Sequence, residues 1–519
     1  MHYRRLQETA VAVGLLAALV LPTARAARPV VVVAEQYPPF EYLQDGVPTG
    51  IGVDITKRVF AKLGTPVEFR FYPFPRAWML IEKGRADAVA SISYAPNREK
   101  ILFYTPEQKD FLETGNVPRD HVWLTENVFF VSAALRNALR FESLHQIRDD
   151  KYRTGIVANY SYTPKFWEAG LDTVSYPDAP AAFRALIAGG IQVFPFDRTV
   201  GLWVLKREGL LDKVSYLPKS IFVKPYALGF SRVSGYPDIE SLMHAYYREL
   251  AELRFSGEYD SIFAKYLPEG DAWAPPHPLV FVAEPWPPYE SLDAEGRVRG
   301  INVDVISRVM NRLGIPYSIR LYPWSRAWMM VQKGAADAVL SISYKASREA
   351  DLAYTDLQRG ANGQSGDVLW QSEYVFFAKT RDVERIRFDS LDQLKAEGVV
   401  VGVNRDYSYS PEFVQAGLQT VEYTGTQAGF KGLVADDIQL YPMDITVGRA
   451  QIAELGLSQS ITNLPKVIFS KPYLAVFSKH SRHPRLDEIR PAFYAELDRI
   501  RRDAEYQAIV AAHTRAGGI

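Results

Sequence analysis

Apolar residues in the first third of the chain alternate between two spacings. Val30 to Ala34 is an unbroken apolar, mostly β-branched run, which predicts a buried strand. Residues 54–63 carry apolar side chains at helical spacing, and a glycine supplies the stop. Residues 67–72 alternate like a strand, 76–83 are helical again, and 87–92 form the next strand. This order predicts an α/β fold with short connections and a mostly parallel sheet.

The pattern changes after residue 106. Residues 107–121 are polar and predict an irregular segment. Strand-like runs resume at 127–131 and 153–157, and residues 236–267 carry the apolar positions of a long helical stretch. The segment up to residue 267 therefore reads as two βαβ sets followed by a C-terminal helical part, which indicates two lobes.

The whole pattern then occurs a second time. Aligning residues 53–99 with 303–349 without a gap gives 26 identities in 47 positions. Such a period is far longer than the roughly 20–50 residues of a solenoid repeat, so a complete domain is duplicated. Residues 269–278 are rich in proline and predict a semi-rigid linker between a first domain at 27–268 and a second at 279–519.

Composition removes several classes of function. The 519 residues include no cysteine, which excludes disulfides, thiol catalysis and cysteine-bound zinc. The formal net charge is zero, so nothing indicates the basic face of a nucleic-acid partner. None of the eight histidines lies in the repeated core, and the pair His480 and His483 is interpreted as part of a solvated loop. No cofactor, metal or catalytic residue is expected.

Residues 1–26 have the features of a cleaved secretory signal peptide. Arg4 and Arg5 form the positive segment, an apolar run of 12 residues extends from Ala10 to Leu21, and cleavage is expected after Ala26. The apolar run is shorter than the about 20 residues of a membrane-spanning helix. The alternative is an uncleaved membrane anchor. We expect an exported protein in the bacterial periplasm.

Each copy resembles a family 3 extracellular solute-binding protein, the periplasmic amino-acid receptor of ABC-type importers. The resemblance lies in Pro38-Pro39 between aromatic residues, in Gly50 to Asp54, in Gly84 to Ala88, and in a serine followed five residues later by arginine. Second-copy counterparts include Gly300 to Asp304. The resemblance implies two tandem type II periplasmic-binding-protein domains, each of two α/β lobes that are joined by two hinge crossovers and close on a ligand.

The resemblance also implies where the lobes meet. In the first domain, lobe 1 is expected at 28–125 and 225–268 and lobe 2 at 126–224. In the second domain, lobe 1 is expected at 279–372 and 472–519 and lobe 2 at 373–471. The crossovers are expected near residues 122–131, 219–226, 368–379 and 466–473.

A free amino acid needs a planar cation for its carboxylate and an anion for its ammonium group. By the resemblance, Arg98 and Arg348 bind the carboxylate, and Asp197 and Asp444 take the ammonium group. The remaining expected ligand contacts are Tyr37, Phe74, Ser91, Ser93, Tyr160 and Ser161 in the first domain and Trp286, Trp324, Ser341, Ser343, Tyr407 and Ser408 in the second.

Several interpretations stay open. Asp197 follows an apolar strand and could cap the next helix instead, and Phe74 and Trp324 could be core residues. Where the family has threonine, this chain has Ala95 and Lys345, so the second domain could take a small organic anion rather than an amino acid.

The partner and the class of protein also have alternatives. The expected partner is an ABC transporter permease, and a separate membrane sensor is the second possibility. A periplasmic enzyme on the same fold, similar to arogenate or prephenate dehydratases, would need a carboxylate in the cleft. The candidates by position are Glu35, Glu41, Glu284 and Glu290.

Overall fold

The computed structural model describes residues 28–158, 162–267, 277–360, 366–405, 407 and 409–515. Residues 1–26, on which the predicted signal peptide falls, lie outside the described residues. The first domain contains strands β1 to β11 and helices α1 to α9. Its strands are β1 Val30–Ala34, β2 Tyr42–Gln44, β3 Val47–Thr49, β4 Val67–Phe71, β5 Ala88–Ile92, β6 Trp123–Ser132, β7 Thr154–Val157, β8 Thr173–Tyr176, β9 Phe194–Asp197, β10 Val214–Tyr216 and β11 Phe222–Phe230. Its helices are α1 Ile51–Lys62, α2 Phe74–Glu82, α3 Pro106–Thr114, α4 Leu144–Asp149, α5 Pro164–Glu168, α6 Ala179–Ile187, α7 Arg198–Glu208, α8 Ile239–Phe255 and α9 Glu258–Ala264.

The second domain repeats this order. Its strands are β12 Leu279–Ala283, β13 Ser291–Leu292, β14 Val298–Arg299, β15 Tyr317–Leu321, β16 Ala338–Ile342, β17 Leu352–Ala353, β18 Val368–Lys379, β19 Val400–Asn404, β20 Gln419–Tyr423, β21 Tyr441–Asp444 and β22 Ile461–Ser478. Its helices are α10 Ile301–Leu313, α11 Trp324–Gln332, α12 Asp356–Arg359, α13 Leu391–Ala396, α14 Ser410–Gln415, α15 Thr426–Val434, α16 Ile445–Glu454, α17 Leu486–Arg502 and α18 Ala504–Arg515.

Two long strands tie the lobes of each domain together. In the first domain the strand order is β10-β6-β11-β5-β1-β4, with β9 paired to β6. Strands β1, β4 and β5 are parallel, whereas β11 is antiparallel to both β5 and β6. The second domain has the matching order β15-β12-β16-β22-β18-β21. The antiparallel pairs β6–β11 and β18–β22 lie where the sequence places the crossovers.

Local sequence explains how lobe 1 is assembled beneath the cleft. The apolar run of β1 is almost wholly buried: Val30, Val32 and Ala34 belong to a cluster with residues of α1 and α8, and Val33 belongs to one with residues of α2. Gly50 precedes α1 with φ 127°, and a Cβ there would meet the carbonyl oxygen of Phe40 at 2.3 Å. Only glycine fits this approach, which holds the loop after β1 against the start of α1.

Two sequence predictions are wrong. Residues 107–121 are not irregular throughout, because α3 occupies Pro106–Thr114 and begins with a capping box formed by Thr105 and Gln108. The polar residues belong to a half-buried helix, which periodicity alone misses. The main sheet of the first domain is mixed rather than mostly parallel, because β6 pairs antiparallel with β9, β10 and β11. The helical stretch predicted at 236–267 is confirmed, and Gly257 at φ 81° divides it into α8 and α9.

The domains contact each other directly through the segment that follows α3. The backbone N–H of Val117 donates to the carbonyl of Tyr317 at 2.8 Å. The Asn116 side chain accepts a hydrogen bond from the N–H of Ile319 at 2.8 Å and donates to its carbonyl at 3.5 Å. The segment of the first domain thereby extends the edge strand β15 of the second.

Candidate ligand-binding clefts

The second domain has a narrow cleft between its lobes, with a cavity volume of about 30 Å³. First-lobe residues form most of its lining, including Tyr473 on β22, and Tyr407 in the loop after β19 contributes from the second lobe. The lining residues are Glu284, Trp286, Trp324, Leu340, Ser341, Ile342, Ser343, Arg348, Tyr407 and Tyr473. Six of them are among the residues expected from the sequence.

Arg348 is held in place on the floor of this cleft. Its Nη1 donates to the carbonyl of Ser343 at 3.1 Å, and its guanidinium lies 5.3 Å from the ring centre of Trp324 and 5.7 Å from that of Trp328. The residue is only 9% exposed. Two aromatic faces and a backbone carbonyl orient the planar cation. The arrangement suits a carboxylate ligand.

Glu284 provides the opposite charge in the same cleft. The Tyr407 hydroxyl donates to its Oε2 at 2.8 Å, which joins the second lobe to the first. The N–H of Trp324 is a further donor, while burial raises the pKa of the carboxyl above its usual value. A ligand cation beside Glu284 would favour its ionised form. Sequence reasoning had considered this residue only as a catalytic carboxylate.

A second glutamate lies beneath the floor and is enclosed. Glu290 is 0% exposed and accepts hydrogen bonds from Ser341 at 2.7 Å and from Asn302 at 2.8 Å. Burial raises its pKa to about 7. The Ser341 hydroxyl also accepts from the Trp370 indole at 3.3 Å. Ser341 lines the cleft, but its hydroxyl supports the floor through these bonds.

The floor of the first domain is built in the same way. Arg98 donates to the carbonyl of Ser93 at 3.2 Å and lies 5.5 Å from the ring centre of Trp78 and 5.9 Å from that of Phe74. Ser91 donates to the buried Glu41 and accepts from the indole of Trp123, as in the second copy. Arg98 is more exposed than Arg348, so this floor is more open.

Other expected contacts are placed as follows. Tyr37 stacks on Phe40 and on the hinge residue Trp123, with both ring centres 5.9 Å away. In the second domain, Trp286 packs edge-on against Tyr473 at 4.9 Å. Tyr160, Ser161 and Ser408 lie outside the described residues.

Asp197 and Asp444 are both buried helix N-caps, which for Asp197 is the other interpretation that the sequence left open. Asp197 accepts a hydrogen bond from the N–H of Val200 at 2.7 Å. Asp444 accepts from the N–H groups of Thr446 at 2.9 Å, Val447 at 3.0 Å and Glu373 at 3.1 Å. Burial raises the pKa of both carboxyls to about 6. Asp444 is not among the described residues that line the second cleft.

Four lining residues were missed as ligand contacts: Glu284, Leu340, Ile342 and Tyr473. Tyr473 had a signal, because Lys471-Pro472-Tyr473 repeats Lys224-Pro225-Tyr226 of the first copy. Lys345, the departure that raised doubt about the ligand, is not among the described lining residues.

The sequence model of the bacterial extracellular solute-binding proteins, family 3, matches residues 30–269 and 279–515. The chain belongs to this family. It is accordingly a tandem of two type II periplasmic-binding-protein domains and a binding protein rather than an enzyme. The dehydratase alternative therefore lapses. Within the described residues, no helix is long and apolar enough to span a membrane, and no cluster of three side chains could hold a metal ion.

Among curated relatives, a probable histidine-binding protein of Neisseria gonorrhoeae is 26% identical over 123 residues, which are 24% of this chain and 42% of that protein. The match thus spans less than half of that relative's length. Three solved structures are also similar. A histidine kinase sensor domain is 24% identical and covers 48% of this chain and 99% of its own, with a TM-score of 0.35. The B. pertussis BvgS periplasmic domain is 14% identical, and the match covers 91% of this chain and 90% of that domain, with a TM-score of 0.38. The L-cystine receptor of N. gonorrhoeae is 19% identical, and the match covers 46% of this chain and 92% of the receptor, with a TM-score of 0.37.

Proposed function

We propose that the protein captures a small zwitterion, an amino acid or a close relative, in the cleft of the second domain and a related solute in the first. The observation that carries this proposal is the presence of Arg348 and Glu284 in one aromatic-lined cleft. A cation alone would suit any small anion, and an anion alone would suit any amine. Both together suit a ligand that carries the two charges a short distance apart.

The residues give each part of such a ligand a partner. The ligand carboxylate lies against the Arg348 guanidinium and the Ser343 hydroxyl, and its ammonium group lies against Glu284. Trp286 and Trp324 form walls that favour a flat or apolar side chain. Tyr407 belongs to the second lobe, so its bond to Glu284 keeps the lobes together as the cleft closes.

We infer that the protein works in the periplasm after removal of residues 1–26 and passes its ligand, or its ligand-bound state, to a membrane partner. An ABC permease would take up the released solute. A membrane sensor is the second candidate, favoured by the hydrogen bonds of Asn116 and Val117 to β15, which let the state of one domain reach the other.

A thermal-unfolding screen of the purified protein against the amino acids and small organic anions tests the proposal. A ligand at a hundredfold excess over its Kd should add about 2.7 kcal/mol to the stability of the domain that binds it. Arg348→Ala should remove the stabilisation of the second domain, and Glu284→Gln should weaken it selectively for ligands with an ammonium group. Lys345→Ala is the matched control, because this cation does not line the cleft.

One outcome contradicts the site assignment. If the identified ligand stabilises Arg98→Ala/Arg348→Ala as strongly as it stabilises the unchanged protein, neither arginine holds the carboxylate. If only ligands without an ammonium group stabilise the second domain, that cleft is a site for organic anions and the role of Glu284 is wrong.

A further inference from the structure

The domain junction contains a cavity of about 340 Å³, apart from both clefts. The first domain contributes α8 and α9, and the second contributes β15, α11 and the loop after β22. Lys333 lies 5.9 Å from the ring centre of Phe255, and a Cβ added to Gly257 would lie 3.8 Å from Arg482. The walls of the cavity thus come from both domains.

Four basic side chains of the second domain face this cavity: Arg320, Arg326, Lys333 and Arg482. In the described part of the chain, none of them lies within 4.0 Å of a carboxylate. The Nε of Arg320 donates only to the Ser318 hydroxyl, at 3.1 Å. Like charges gathered in a partly enclosed space repel one another, so the cavity is suited to an anion.

The other charged groups of the lining are already engaged, with one exception. Arg119 pairs with Glu107 at 2.9 Å, and Arg254 donates to backbone carbonyls, among them that of residue 119 at 3.1 Å. His277 lies 3.2 Å from Asp260. Asp337 accepts hydrogen bonds from the N–H of residue 280 and the hydroxyl of residue 481. Burial lowers the pKa of His121 and of His483, which favours their neutral forms. Glu252 is the remaining carboxylate of the described lining.

The duplication supplies an internal comparison. In the first domain, Arg70 corresponds to Arg320 and pairs with Glu68 at 2.7 Å. The second copy replaces this glutamate by Ser318, and it replaces Glu82 by a glutamine at position 332. At these two positions the second copy therefore carries two fewer negative charges than the first, and it keeps the arginine.

We propose that this cavity binds a small anion with two or more negative charges, such as phosphate or a tricarboxylate. Arg320 and Lys333 are its principal contacts, with Arg326 and Arg482 at the rim. Multiply charged oxyanions match guanidinium and ammonium donors through charge-assisted hydrogen bonds. Because residues of both domains line the cavity, the bound anion stabilises their relative orientation. This site is independent of the proposed amino-acid function.

Calorimetric titration of the full chain with citrate and with inorganic phosphate, at ionic strength matched by sodium chloride, tests the proposal. Arg320→Gln/Lys333→Gln should weaken binding of the tighter anion by at least about tenfold, since two charged contacts are lost. The matched control is Arg70→Gln/Lys83→Gln, the same two positions in the first copy, which should bind as the unchanged protein does.

Three outcomes decide the matter. Failure of both anions to bind the unchanged protein at millimolar concentration overturns the proposal, and so does equal binding by Arg320→Gln/Lys333→Gln. Loss of binding in Arg348→Ala but not in Arg320→Gln/Lys333→Gln would place the anion in the solute cleft and would also overturn it. If the double variant does not fold, the single change Arg326→Gln on the exposed rim should still weaken binding measurably.

Discussion

Replacing Glu290 by glutamine should remove a large part of the pH dependence of the second domain's stability. The carboxyl is wholly buried beneath the cleft, where Ser341 and Asn302 donate to one oxygen. The other oxygen has no hydrogen-bond partner among the described residues. An amide keeps the accepting oxygen and carries no charge at any pH, so the variant isolates the titration from the packing.

The size of the effect follows from the pKa. Burial raises the pKa of Glu290 from 4.5 to about 7, so the folded state holds the proton more tightly than the unfolded state does. Its contribution is therefore fully present below pH 4.5 and is lost as the pH rises through about 7. Between about pH 5 and about pH 8, the second domain loses about 2–3 kcal/mol of unfolding free energy from this group alone.

Urea unfolding followed by tryptophan fluorescence at both pH values measures this difference. In Glu290→Gln the loss of stability between the two pH values should shrink by that amount, while the exposed control Glu397→Gln should behave as the unchanged protein. Asp444 titrates in both proteins and cancels in the comparison. An equal loss in Glu290→Gln and the unchanged protein would refute the reasoning, because the buried carboxyl would then not titrate differently on folding.

Two further predictions concern packing and the domain junction. Asn116→Ala removes the hydrogen-bond acceptor of the Ile319 N–H, which should destabilise the domain junction by about 1–3 kcal/mol. Calorimetry should then show the unfolding transitions of the two domains moving apart. Unchanged transitions would contradict this prediction. Gly448→Ala places a Cβ 2.2 Å from the ring of Phe377 and should cost about 1–3 kcal/mol. Gly235→Ala has open space and should be neutral in the same denaturation assay, so similar losses in both glycine variants would discount the steric argument.

The two lobes of the cleft were not equally accessible to sequence reasoning. The first-lobe floor could be anticipated, because Ser343 and Arg348 lie five residues apart and their spacing is fixed locally at the end of β16. The group that accepts the ligand's ammonium could not be anticipated from the sequence. Asp444 and Glu284 are both acids beside an apolar strand, and only the fold shows that one caps a helix while the other lines the cleft.

By itself, the sequence determined the duplication, the α/β class, the alternating strands and helices up to β5 and their repeat in the second copy, and the arginine of each floor. These features depend on the spacing of apolar residues and on motifs a few residues long, which burial selects locally. The tertiary structure decided which distant groups meet: Tyr407 with Glu284 across 123 residues, and Asn116 with β15 across 203. It also brought the basic side chains of the second copy against the first domain. Such contacts depend on how lobes and domains close on each other, and no local periodicity encodes that geometry.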